Sequence, residues 1–86
     1  MIGFARITLI GVVLEIVWSS GQGMATVRIP NQRIMRKNED AIYRVLFSGE
    51  TAQQCVYQGA QIWVEGMMVL DDGPAPYVKA QRFRVV

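Results

Sequence analysis

Ala41-Ile42-Tyr43-Arg44-Val45-Leu46-Phe47, then Ser48-Gly49, then the stretch from Glu50 to Tyr57, and then Gly59-Ala60-Gln61-Ile62-Trp63-Val64-Glu65-Gly66 form the passage that decides the fold. The first run alternates its side chains as a strand does. Ala52, Cys55 and Val56 follow the three-and-four spacing of one buried helical stripe, with Ser48 and Gly49 placed to cap that helix and Gly59 to stop it. Gln61 opens a further apolar run that reaches Leu70 and is interrupted by Gly66. One short helix is therefore expected between two groups of strands.

Reading toward the N-terminus, Ile2 to Trp18 is rich in Ile, Val and Leu, has no proline and reads as a long strand with Gly11 at a bend or bulge. Ser19-Ser20-Gly21-Gln22-Gly23 reads as a turn. Met24 to Ile29 alternates, which places Ala25, Val27 and Ile29 inward and Arg28 outward. Pro30 and Asn31 are expected to end that strand, and Gln32 to Asp40 reads as a polar, basic loop. In the third strand Tyr43, Val45 and Phe47 share one face and Ile42, Arg44 and Leu46 the other. Both faces carry apolar residues, so the pattern does not say which is interior. Toward the C-terminus, Asp71 to Pro76 is a turn whose prolines and glycine cannot continue a ladder, and Tyr77 to Val86 is the last strand. The expectation is one all-β domain over residues 1–86 with one short helix. Five strands with the helix between strands 3 and 4 is the order of the OB-fold, a Greek-key barrel.

Composition narrows the chemistry. The chain has 86 residues, 51% of them apolar, which excludes a disordered polypeptide and leaves a core small enough that sheet closure or self-association is expected. A single cysteine and no histidine argue against disulfide frameworks, most zinc sites and histidine-based acid/base catalysis. Cys55 itself reads as a small buried hydrophobe. With no phosphate-cradling glycine loop either, neither an enzyme nor a metal or other cofactor is expected. Ile7 to Leu14 has the length of a signal-peptide apolar region, but Glu15 interrupts it, and it is too short to span a bilayer, so no membrane partner is expected. The net charge is only +2, yet Arg28, Arg33, Arg36, Lys37 and Arg44 cluster against Glu39 and Asp40, and the last strand adds Lys79, Arg82 and Arg84 without an acid. That distribution suits a polyanion-binding face.

Three segments in register resemble one family. Arg6-Ile7-Thr8-Leu9-Ile10-Gly11 is similar to the opening strand of the bacterial-type single-stranded DNA-binding proteins and their shortened relative primosomal protein B. Tyr43 to Phe47 resembles that family's third strand, and Gly59 to Gly66 the passage from helix to fourth strand. The resemblance implies a non-enzymatic barrel that binds single-stranded DNA, or RNA, in replication, recombination and repair. It also implies a homodimer or homotetramer, contacts with replication or recombination proteins, and a cytoplasmic, nucleoid-associated location or the stroma or matrix of an organelle. Carried over by position, it implies nucleic-acid contacts at Arg6, Arg28, Arg33, Arg36, Lys37, Arg44, Tyr77 and Lys79, and subunit contacts at Ile7, Leu9 and Trp63. Trp63 has a second reading as a base platform. The chain departs from the family where Ile42 and Ser48, and the Ile34-Met35 region, stand in place of stacking aromatics, so a grip dominated by charge is expected. The alternative is an OB-fold module that docks another protein and has lost nucleic-acid binding.

Overall fold

The computed structural model describes residues 5–34, 37–70 and 76–86; of residues 31–34 and 37–40 the backbone alone is described. The chain runs β1 (Ala5–Ser19), β2 (Gln22–Ile34), β3 (Lys37–Ser48), α1 (Glu50–Cys55), β4 (Gln61–Val69) and β5 (Tyr77–Val85). The five strands close on themselves in the order β1-β2-β3-β5-β4. The protein is thus all-β with one short helix and a closed five-stranded sheet.

β1 makes closure possible by changing partner midway. Ala5 to Val12 pair with β4, and Val12 to Ser19 pair with β2, so Val12 is shared by both ladders. Gly11 sits at the changeover, where an added Cβ would collide with the Arg28 carbonyl and the Val27 side chain. The ladder irregularity falls a little later, between Val13 and Glu15. At the other end of β1, Ser20 and Gly21 both have positive φ, 50° and 78°, in a two-residue connection between Ser19 and its partner Gln22. That is the backbone a tight hairpin turn requires when strands twist right-handed. Trp18 lies over Gly23, its cross-strand partner, with ring atoms where a side chain would otherwise stand.

The core is filled from every strand and from the helix: Leu9, Val13, Ala25, Val27, Val45, Phe47, Ala52, Val56, Ile62, Val64 and Val78 are buried. Phe47 is fully enclosed and meets Phe83 edge to face, with ring centroids 5.5 Å apart and planes at 85°. This settles the third strand: Val45 and Phe47 point inward with half-buried Tyr43, while Ile42 stays 54% exposed.

Several expectations are corrected. Gln32 to Ile34 and Lys37 to Asp40 are strand and not loop, because β2 continues to Ile34 and β3 begins at Lys37, with Gln32 opposite Glu39 and Arg33 opposite Asn38. Pro30 and Asn31 occupy a register shift between Ile29 and Gln32, a place where a residue lacking an N–H donor is tolerated without ending the strand. Cys55 is exposed, since the helix has only six residues and turns Ala52 and Val56 to the core instead. Finally, Gly49 is the N-cap with φ 98° and no side-chain cap hydrogen bond forms, so Ser48 does not cap α1. Nor does Gly59 stop the helix: α1 ends at Cys55 with Val56 as its C-cap in extended backbone, and Gly59, with φ 89°, lies beyond it, its N–H donating to the Val13 carbonyl at 2.7 Å. Residues 2–4 of the expected first strand and residues 71–75 of the expected turn lie outside the described residues.

Candidate nucleic-acid interface

Alternation along β2, β3 and β5 builds one outward surface. In register, Met24 stands opposite Leu46, Thr26 opposite Arg44, and Arg28 opposite Ile42. Leu46 in turn stands beside Lys79 in the parallel β3–β5 pairing. Since Ala25, Val27, Val45 and Val78 point inward, their neighbours Arg28, Arg44 and Lys79 are held outward and exposed. Three cations are thereby set on adjacent strands, which lie about 4.8 Å apart in a sheet. Ile42, Leu46 and Met24 form the apolar ground between them. Glu15 lies opposite Thr26 on the far side, the one carboxylate in the Arg44 row.

At the end of this surface is a recess of about 400 Å³ lined by Ile42, Tyr43, Arg44, Met68, Pro76 and Tyr77. Tyr77 opens β5 and is half-buried against it. The surface thus offers two chemistries, fixed positive charge along the strands and a phenol-lined apolar recess at the rim. A phosphodiester chain with unpaired bases can use both.

The other implied contacts fall differently. Arg6 is exposed at the start of β1, opposite Met67, which itself stands opposite Lys79, so β4 separates Arg6 from the cationic surface. Arg33 and Lys37 have their backbone in the β2–β3 ladder, and their side chains lie outside the described residues. Arg36 lies outside the described residues altogether. Among the subunit-contact candidates, Leu9 is only 4% exposed and belongs to the core, and Ile7 packs against that core, so their side chains do not face a partner. Strand alternation turns Ile10, 56% exposed, outward with Arg6 and Thr8, as the large apolar residue of that face. Ile10 was missed although Arg6 and Thr8 share its face, because the expected contact residues of this segment follow from the family resemblance and not from its alternation. Trp63 is half-buried on the outer surface between Ile10 and Arg84.

Among the described residues no group of metal-ligating side chains comes together, and no helix is long and apolar enough to cross a membrane. Neither a protein-family model nor a curated protein matches the chain.

Proposed function

We propose that this chain is a non-enzymatic OB-fold domain that binds single-stranded nucleic acid, holding the phosphate backbone on the outer face of β2, β3 and β5. The OB reading draws support from the helix between β3 and β4, from β1 serving both β2 and β4, and from the parallel meeting of β3 with β5. The observation that carries the functional reading is the register that puts Arg28, Arg44 and Lys79 on neighbouring strands of one face. No flat ring stands among the outward residues Met24, Thr26, Arg28, Ile42, Arg44 and Leu46, whereas a base stacked on an aromatic gains about 1 to 3 kcal/mol. Affinity should therefore come mainly from counterion release and fall with salt, at a log-log slope of about −0.7 per phosphate contact on a single strand.

The same lack of rings favours a second reading, a module that docks another protein. Titration of fluorescein-labelled oligo-dT at about 50 and about 200 mM salt separates the two. The nucleic-acid reading expects binding at the lower salt, a steep loss at the higher, and a slope about 2 units shallower when Arg28, Arg44 and Lys79 are all changed to alanine. Absence of binding at the lower salt leaves the docking module standing.

Self-association belongs to the same proposal. Ala5 to Gly11 pair with β4 on one edge, while pairing with β2 begins at Val12, so their second edge takes no strand among the described residues. Edge-to-edge pairing of two such segments would cover it in a symmetric dimer.

A further inference from the structure

A second recess lies further along β5, past a bulge. Opposite Glu65 and Gly66 the register of β5 slips, so that Arg82 faces Glu65 and Ala80 faces Gly66, with Gln81 as the extra residue. An extra residue resets the alternation that follows it. If Gln81 were paired in a regular ladder, the inward series Val78, Ala80 would continue onto Arg82 and Arg84. Because it bulges out of the pairing instead, Phe83 and Val85 turn toward the core and both arginines are exposed.

The arginines border an open cleft of about 690 Å³ between α1 and the outer side of β4 and β5, lined by Thr51, Cys55, Trp63, Gln81, Arg82 and Arg84 among others. Arg84 stands directly opposite Trp63. Among the described residues no carboxylate lines the cleft, although Glu65 opposes Arg82 from the next row. An indole, two guanidinium groups, a hydroxyl and an amide match the parts of a nucleotide, a flat base and an anionic phosphate. The surface is also continuous with the first face. Arg28 stands opposite Val12, and two residues along β1 from Val12 Ile10 stands opposite Trp63.

We propose that this cleft is a second nucleotide site, taking a base against Trp63 and phosphate on Arg84 and Arg82, occupied by the same single strand that lies on β2, β3 and β5. The proposal rests on the nucleic-acid reading above. Its occupant is an unpaired nucleotide; a second copy of the chain and an acidic protein segment are the alternatives the test addresses.

Cys55, the sole cysteine, lines the cleft and is exposed, so its alkylation by iodoacetamide reports on the site in the unaltered protein. Oligo-dT of about 6 and about 24 nucleotides brackets the length one such domain covers. With saturation checked by anisotropy, the longer oligomer should slow alkylation several-fold and the shorter one should not. Changing Arg82 and Arg84 together to alanine should abolish that protection, weaken the longer oligomer about tenfold and leave the shorter one unchanged. An unchanged alkylation rate in the presence of bound long oligomer overturns this site and spares the first face. Protection that grows with protein concentration in the absence of oligomer assigns the cleft to a second copy and also overturns it. Failure of both oligomers to bind removes the nucleic-acid reading and this site together.

Discussion

Gly11 and Phe47 show how single positions hold the closed sheet. A methyl group at Gly11 would meet the Arg28 backbone, which cannot swing aside as a flexible side chain could. Gly11→Ala should therefore destabilise the protein by about 1 to 3 kcal/mol in urea denaturation, the usual cost of overpacking. Phe47→Ala empties a fully buried ring site beside Phe83 and should cost about 3 to 5 kcal/mol by the same measurement. Cys55→Ser is the contrast. Because the thiol is exposed, that change should stay within about 0.5 kcal/mol, and a larger loss would mean the side chain is packed after all. Alternation grouped Phe47 with Tyr43 and Val45 but left open whether that face was interior, and the helical spacing misplaced Cys55. Three-and-four spacing proposes a stripe, and a helix of six residues has room to bury only part of it.

At the scale of elements, the order of strands and helix was legible because period-two runs and the turn residues point the same way, although Gly59, expected to stop the helix, lies beyond its end. What the chain disclosed only faintly was phase. From Ile10 to Leu14 both faces of β1 are apolar, and Arg6 and Thr8, which share Ile10's face, are the residues that mark Leu9 as inward and Ile10 as outward. The continuation of β2 past Pro30 was hidden for a different reason: a ladder of polar residues is held by main-chain hydrogen bonds and leaves no hydrophobic rhythm to read. Arg28 and Arg44 were legible as surface cations, whereas the outward turn of Arg82 and Arg84 depends on a one-residue slip in β5. That slip makes its own prediction. Deleting Gln81 removes the extra residue and leaves Phe83 and Val85 in phase with Val78 and Ala80, so the shortened strand should still fold cooperatively by circular dichroism with both arginines outward, and Gln81→Ala should remain within about 0.5 kcal/mol of the parent.

Taken whole, a domain this small leaves much apolar surface uncovered: Ile10, Val17 and Ile42 are 56%, 65% and 54% exposed. Together with the open edge of β1, this makes a dimer the expected species in light scattering at micromolar concentration, and a persistent monomer would count against the edge-pairing proposal. The cylinder also has a seam. Among the described residues β3 and β5 join in parallel through two residue pairs, Val45 with Val78 and Leu46 with Lys79, whereas β1 and β4 share eight. Segments that meet there are far apart along the chain, so this is the join expected to zip up last during folding, after the local hairpins have formed. It is also the join expected to part first under stress. A molecule opened along that line would present two raw strand borders at once, each able to recruit a neighbour. Slow refolding at high concentration should then favour clumped chains over recovered cylinders.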